Sequence, residues 1–145
     1  MIALIQRVSL GKVVVDDTVI GDIKRGIVAL IGVEKRDAEK NAERLLARLL
    51  GYRIFADANN RMNLSVGDVG GGLLLIPQFT LVANTKKGTK PSFSSAAPPE
   101  QGKALFHYLV GHAKQIYEQV ETGQFGVDMQ VHLVNEGPVT FWLTA

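Results

Sequence analysis

The sequence predicts a mixed α/β fold, with a mostly antiparallel, barrel-like β-sheet core and two main helices packed on it. Several short apolar runs are bounded by Gly, Asn, Asp or Pro, as strands usually are, whereas only two segments have the apolar spacing of helices. The strand-like runs do not alternate regularly with the helical segments, which argues against a Rossmann layout. At 145 residues the chain is predicted to form a single domain, residues 1–145, without repeat or linker.

The first elements are predicted to be strands. Strands are expected at residues 2–10 and 12–15, followed by a turn at Asp16–Thr18 that leads into residues 19–20. The uninterrupted apolar run from Gly26 to Val33 is typical of a central strand, because both faces of such a strand are covered.

The first helix is predicted to start at Asp37, whose carboxylate is a suitable N-cap, and to end at Gly51. Its apolar side is expected to contain Ala38, Ala42, Leu45, Leu46, Leu49 and Leu50. Residues 52–56 then read as a strand, and the turn chemistry of residues 57–60 predicts a hairpin into a strand at residues 62–64.

The second half of the chain begins with an apolar strand predicted at residues 73–76. A polar segment rich in Ser, Pro, Lys and Gly, Asn84 to Pro99, is expected to be a long loop. Pro98 and Pro99 are expected to open the second helix, and strands are predicted at residues 128–134 and 139–143. The apolar face predicted for that helix is Ala104, Leu105, Tyr108, Leu109, His112, Ile116, Tyr117 and Val120.

Composition excludes several classes of site and location. The chain has no cysteine, so disulfides, thiolate zinc sites and cysteine nucleophiles are ruled out. Its apolar start breaks at Arg7 and lacks a basic segment, so no signal peptide is predicted, and no apolar run approaches the roughly 18 residues of a membrane span. We therefore expect a cytoplasmic protein with no membrane partner. The net charge of +2 permits contact with a polyanion without requiring it.

Conventional catalytic patterns of side chains are missing. His107 and His112 are five positions apart, roughly 140° around a helix, which is poor spacing for a shared metal. Ser92, Ser94 and Ser95 lack the Gly-x-Ser-x-Gly pattern of a nucleophilic serine. No metal site and no cofactor are predicted.

Two segments are unusual for strand ends. Gly137-Pro138 stands directly before the last predicted strand, where proline brings no N–H to a ladder and glycine leaves neighbouring carbonyls open to a ligand. Pro77 is expected to interrupt strand pairing before Gln78-Phe79-Thr80, which frees N–H groups of Phe79 and Thr80 for an oxyanion. A tight turn and ordinary strand packing are the alternative interpretations of these two segments.

The densest basic stretch is Lys86, Lys87 and Lys90, inside the predicted loop. A solvated loop is one interpretation of this cluster, and contact with a few phosphates is the other.

Three separated motifs, in order, resemble the D-aminoacyl-tRNA deacylases: Gln78-Phe79-Thr80-Leu81, the loop Lys87 to Ser94, and Asn135 to Thr140. Met1 to Val8 and residues 51–55 and 128–131 are also similar to that family, so the resemblance covers essentially the whole chain. It implies the family's fold and hydrolysis of the ester between a D-amino acid, or glycine, and the 3′-terminal adenosine of tRNA. It also implies a homodimer that needs no metal, with tRNA as partner.

The resemblance further implies catalytic roles for Gln78, Phe79 and Thr80. Main-chain N–H groups near Phe79 and Thr80 would stabilise the oxyanion, and the ribose 2′-hydroxyl would assist an attacking water. The Phe79 ring would pack near the adenosine, and the three loop lysines would contact tRNA phosphates.

For Gly137, Pro138 and Val139 the resemblance implies substrate binding across the dimer interface. The Gly-Pro bond of the family is cis and reaches into the partner's active site, so the Gly137 and Pro138 carbonyls would hold the α-ammonium group of the substrate. An L side chain would collide with this backbone, so that selectivity comes from rejection.

One residue departs from the family pattern, since Pro77 stands where a serine is usual. An animal-type relative carries Pro-Gln followed by Ala-Thr and tolerates L-alanine on the wrong tRNA, whereas this chain keeps Phe79 and Val139. Pro77 therefore bears on the strictness of chiral rejection more than on the reaction. The alternatives are a non-catalytic nucleic-acid-binding module and a hydrolase of an unrelated small molecule.

Overall fold

A computed structural model describes all 145 residues of the chain. The strands are β1 (Ile2–Val15), β2 (Thr18–Ile23), β3 (Gly26–Gly32), β4 (Phe55–Ala56), β5 (Met62–Leu64), β6 (Gly72–Pro77), β7 (Val120–Thr122) and β8 (Gln130–Thr144). The helices are α1 (Glu39–Gly51) and α2 (Pro99–Ile116), and a 3-10 helix covers Phe79–Val82. Neither helix combines the length and the apolar character that crossing a membrane would require.

The main sheet is built around the long strand β1. Its order is β2-β1-β3-β6-β7, and β8 pairs with β1 in addition. The first half of β1 pairs with β3 and the second half with β2, while β8 follows nearly its whole length. All neighbours of β1 are antiparallel to it, so one strand organises most of the sheet.

The two helices connect the parallel strands. The pairs β3–β6 and β6–β7 are parallel, and such neighbours need a crossover connection, usually a helix. Helix α1 lies in the first connection and α2 in the second, and the two helices pack against each other. Strand β2 also approaches β6 and β7, which curls the sheet towards a barrel. The predicted mixed α/β class with a barrel-like sheet and two helices is confirmed.

The hydrophobic core has two parts. The larger part lies between the sheet and the helices and includes Ile5, Ile27, Leu45, Leu49, Phe55, Leu73, Leu105, Phe106 and Leu109. The smaller part lies on the opposite face of the sheet, inside its curl, and consists of Val8, Val13, Ile23, Val28, Leu74 and Ile76. Because apolar side chains cover both faces of β3 and β6, these strands appear in the sequence as continuous apolar runs.

The predicted N-cap of α1 is wrong. The helix is preceded by Ala38, whose N–H donates to Asn41 Oδ1 at 2.9 Å. The Asp37 carboxylate instead accepts the Glu34 N–H at 2.7 Å and lies 2.5 Å from the Met1 ammonium group. The Asp37 carboxylate therefore binds a charged group distant in sequence and does not cap the helix. The predicted end of the helix at Gly51 is confirmed.

Helix α2 opens after Pro98 at Pro99 as predicted, but its predicted apolar face is partly wrong. Ala104 is exposed, Ile116 is 55% exposed, and Val120 belongs to β7, which the sequence did not predict. The helix ends at Ile116, and beyond it the Gln119 carbonyl accepts the Leu73 N–H at 2.8 Å, where β7 joins the sheet beside β6. The buried residues of α2 are Gly102, Leu105, Phe106, Leu109 and Ala113.

Strand boundaries differ from the prediction in several places, and β2, predicted at residues 19–20, extends over Thr18–Ile23. The strands predicted at residues 2–10 and 12–15 form the single strand β1, and those at 128–134 and 139–143 form the single strand β8. Shifts in register between β1 and β8 allow pairing to resume beyond each irregularity. Of residues 52–56, only the last two belong to a strand, β4. The predicted central strand is confirmed as β3, which has β1 and β6 on its two sides.

Two predicted turns are confirmed. Asp16 and Asp17 join β1 to β2 with positive φ angles of 47° and 60°. In the β4–β5 hairpin, the Asp57 carboxylate accepts the N–H groups of Arg61 at 3.0 Å and Asn59 at 2.8 Å. These hydrogen bonds, the one from Arg61 foremost, hold the pKa of Asp57 below its ordinary value.

Candidate functional site

A cavity of about 620 Å³ lies at the carboxyl ends of the parallel strands β3 and β6. Its walls are completed by the start of α2 and by the segment from Phe125 to Val131, and most of its lining is apolar. Ligands of open α/β sheets bind at this end of parallel strands, because the chain leaves the sheet there and loops surround the opening. The cavity is therefore the candidate functional site.

Strand β6 ends at Pro77, as predicted, although Pro77 itself is still paired opposite Ile31. The Gln78 N–H donates to the Ile31 carbonyl at 2.7 Å, so the neighbouring Pro77 nitrogen points to the other side of the strand. Strand β7 has already ended there at Thr122, so no ladder hydrogen bond is lost.

Beyond β6 the chain turns into the 3-10 helix that begins at Phe79. Gln78 and Phe79 line the cavity, and Thr80 lies next to them on the surface. The N–H groups of Phe79 and Thr80 belong to the first turn of this helix, which leaves them without an acceptor inside it. No loop carbonyl or side chain accepts from them either. Two adjacent main-chain donors therefore have no acceptor within the chain, one on a residue that lines the cavity and the other on the residue after it.

The Thr80 hydroxyl has no basic partner. It accepts a hydrogen bond from the Gln78 side-chain amide, and no carboxylate or imidazole hydrogen-bonds to it. The only ionisable side chain that lines the cavity is Asp128, which is exposed. A hydroxyl without an adjacent base is a weak nucleophile at neutral pH, so this arrangement favours a positioning role for Thr80.

Gly137, Pro138 and Val139 lie on β8, where its register with β1 shifts between the pairs made by Gln6 and Val8. The Gly137–Pro138 peptide bond is cis, and Gly137 has a φ of +139°. None of the three lines the cavity of its own chain. A single chain therefore does not bring the two predicted motifs together.

Two side chains that sequence reasoning missed hold this segment in place. Arg7 Nε donates to the Glu136 carbonyl at 3.0 Å, and its Nη1 donates to the Ile54 carbonyl at 2.7 Å. On the other side, Asn135 Oδ1 accepts the Val139 N–H at 2.9 Å. Arg7 is one of two charged residues of β1, and nothing near it in the sequence indicates these two acceptors.

The three predicted phosphate-contacting residues, Lys86, Lys87 and Lys90, are exposed in the loop between the 3-10 helix and α2. Reciprocal hydrogen bonds between the main chains of Asn84 and Ser92, at 2.8 and 3.1 Å, close this part of the loop into a hairpin. None of the lysines forms a salt bridge, so their charges remain free for an anion.

The sequence matches the model of one protein family, described as D-Tyr-tRNA(Tyr) deacylase, over residues 4–144. The D-aminoacyl-tRNA deacylase of Alkalilimnicola ehrlichii is 59% identical over 145 residues, which cover 100% of this chain and 97% of the relative. The proteins of the same name from Pseudomonas paraeruginosa and Salmonella arizonae are 57% and 54% identical over 143 residues, which cover 99% of both chains in each case.

Solved structures resemble the fold over its full length. A c-Myc DNA unwinding element binding protein superposes with a TM-score of 0.95 at 34% identity, covering 100% of this chain and 99% of that protein. A probable eukaryotic D-amino acid tRNA deacylase superposes with a TM-score of 0.85 at 18% identity, covering 99% and 98%. At that identity, the second likeness concerns the fold alone.

Proposed function

The chain belongs to the D-Tyr-tRNA(Tyr) deacylase family, and we propose that it hydrolyses the ester between a D-amino acid, or glycine, and the 3′-terminal adenosine of tRNA. The observation that carries the proposal is the pair of unpartnered N–H groups of Phe79 and Thr80 beside an apolar cavity. An ester oxygen placed against them would gain stabilisation as it becomes negative, worth roughly 2.7–4 kcal/mol per donor. The cavity is the proposed place for the adenosine, with the Phe79 ring beside it.

Water is the proposed nucleophile. The Thr80 hydroxyl lacks a base, and the cavity lining offers no histidine. The substrate itself carries a hydroxyl next to the reacting ester, the 2′-hydroxyl of the terminal ribose. We assign to it the orientation of the attacking water and the relay of its proton, which leaves Gln78 and Thr80 to position the ester.

A second copy of the chain is the proposed source of the chiral filter. Strand β8 is bonded to β1 on one side only and exposes Val131, Val134 and Trp142, so it offers an edge and apolar area to a partner. Val131 also lines the cavity, so a partner that covers β8 lies against the cavity opening. In a two-fold dimer, Gly137 and Pro138 of each chain would reach the other chain's cavity.

In this arrangement the Gly137 and Pro138 carbonyls bind the α-ammonium group of the amino acid, and Val139 supports them. The backbone then occupies the space that an L side chain would need, whereas a D side chain points away and glycine has none. Discrimination consequently rests on a steric clash with backbone fixed by Arg7 and Asn135.

The proposed function is tested with matched D-tyrosyl-tRNA and L-tyrosyl-tRNA and the purified protein. We expect rapid release of the amino acid from the D ester and none above background from the L ester. Release from both esters would support the hydrolytic activity but not the chiral selectivity, and Pro77 would be the residue to which we attribute the lost selectivity. Release from neither would contradict the proposal.

A non-catalytic nucleic-acid-binding module is the second candidate, favoured by the likeness to a c-Myc DNA unwinding element binding protein at 34% identity. It would use the exposed lysines but would have no need of the free N–H groups of Phe79 and Thr80. Binding of nucleic acid without ester hydrolysis would move this candidate to first place.

We predict that replacing Lys86, Lys87 and Lys90 together by glutamine raises KM for D-aminoacyl-tRNA and leaves kcat nearly unchanged, because the lysines contact phosphates and not the ester. The slope of log(kcat/KM) against log[salt] should become shallower by about 2, since each phosphate contact on a single strand contributes roughly 0.7. Initial rates measured across a range of salt concentrations give this slope directly.

The control carries the same change of charge elsewhere: glutamine at Lys24, Lys40 and Lys114, which are exposed on β2–β3, α1 and α2. An equal change in slope for both triple variants would show that the loop lysines have no special role.

A further inference from the structure

We propose that Phe93 provides a stacking surface for the base of the nucleotide that precedes the terminal adenosine of tRNA. The inference rests on the proposed function and extends the binding site beyond the cavity, from the terminal nucleotide to the penultimate one.

The first observation is an exposed pair of aromatic rings at the cavity opening. Phe79 is 61% exposed and Phe93 is 39% exposed, and their ring centroids are 5.3 Å apart. Phe79 lines the cavity and Phe93 does not, so Phe93 extends the aromatic surface outward from the cavity. Their planes are inclined by 47°, so one flat base cannot lie against both rings. The pair is consequently suited to two successive bases.

The second observation is that the backbone of Phe93 is fixed. The Ser95 hydroxyl donates to the Val82 carbonyl at 2.7 Å, and the Ala96 N–H donates to the Phe93 carbonyl at 3.0 Å. The residue before it, Ser92, is paired with Asn84. Phe93 therefore stands at a defined place on the surface, which lowers the entropic cost of binding a base.

The third observation is the charge beside the ring. The hairpin that carries Lys86, Lys87 and Lys90 ends at Ser92, directly before Phe93. Sites for single-stranded nucleic acids combine a basic track along the backbone with aromatic side chains on which successive bases stack. The free 3′ end of an RNA fits this combination, with its phosphates on the lysines and its last two bases on Phe93 and Phe79.

The test compares two substrates with the purified full-length protein: D-tyrosyl-tRNA, which has a penultimate nucleotide, and D-tyrosyl-adenosine, which lacks it. For Phe93→Leu we expect kcat/KM on the tRNA to fall about 5- to 150-fold through a higher KM, since stacking is worth roughly 1–3 kcal/mol per base. Hydrolysis of D-tyrosyl-adenosine should remain at the wild-type rate. Phe93→Tyr keeps the ring and should restore KM, and Val19→Ala, an exposed apolar change on β2, should alter neither substrate.

Three results would overturn the inference. Equal losses on both substrates would mean that Phe93 acts only through Phe79, and an unchanged KM for the tRNA would mean that no base binds there. Dissociation of the dimer by Phe93→Leu, measured by light scattering, would assign this face to a second copy of the chain. If the wild-type protein hydrolyses neither substrate, the proposed function fails and the inference with it.

Discussion

A D-aminoacyl-tRNA whose terminal adenosine lacks the 2′-hydroxyl is expected to be hydrolysed about 10²–10⁴-fold more slowly than the same ester on ordinary tRNA. The reason is that the Thr80 hydroxyl meets only the Gln78 amide and the cavity lining contains no histidine, so the proposed mechanism assigns the orientation of water to the substrate's own hydroxyl. The measurement is the first-order rate constant of ester hydrolysis with enzyme in excess over substrate, after subtraction of the uncatalysed rate. A matched control places the 2′-deoxy sugar at the penultimate nucleotide, where little change in kcat is expected.

The same mechanism limits the effect of Thr80→Ala. This variant loses an exposed side-chain hydrogen bond, worth about 1 kcal/mol, but keeps the main-chain N–H at that position. Its kcat should therefore stay within about tenfold of the wild type. A complete loss of turnover, together with a trapped acyl group on Thr80, would contradict the proposal and identify a covalent mechanism.

The second large effect is expected from Gly137→Ala. The φ of Gly137 is +139°, and an added Cβ would lie 2.7 Å from Val139 Cγ2 and 3.2 Å from Arg7 Nη2. Relief of this clash requires a shift of the backbone that is proposed to bind the α-ammonium group, at a cost of roughly 1–3 kcal/mol. We expect kcat/KM for the D ester to fall about 5- to 150-fold and the ratio of D to L hydrolysis to collapse towards one.

The matched control for this variant is Gly111→Ala, because Gly111 is exposed on α2 and an added Cβ would meet nothing within 4 Å. It should leave both rates unchanged. A Gly137→Ala protein that folds and still discriminates as well as the wild type would remove this segment from the chiral filter.

The strands that the sequence predicted best are those whose signal is local. The continuous apolar run of β3 reflects burial on both faces, and the turn at Asp57 reflects hydrogen bonds to residues two and four positions later. The errors have distant causes. The Asp37 carboxylate binds the Met1 ammonium group, and Val120, expected on the second helix, pairs instead with Leu73 of β6.

The residues of the candidate site also differ in whether the nearby sequence indicates their role. Gln78-Phe79-Thr80 and Gly137-Pro138 stand out because proline and glycine restrict or relax the backbone, which is visible in the sequence itself. The support from Arg7 could not be predicted, since its two acceptors, Ile54 and Glu136, are 47 and 129 positions away. The separation of the cavity from Gly137 within one chain agrees with what the family resemblance implied, but no pattern of residues in the sequence indicates it.

That separation has a genetic consequence in the proposed dimer. Each cavity draws Phe79 from one chain and Gly137 from the other, so two defective alleles, one altered at each position, would together supply every part of one intact site. Mixed dimers would then have one working cavity and one doubly damaged cavity, and a cell that carries both alleles would recover part of the activity that either allele alone has lost.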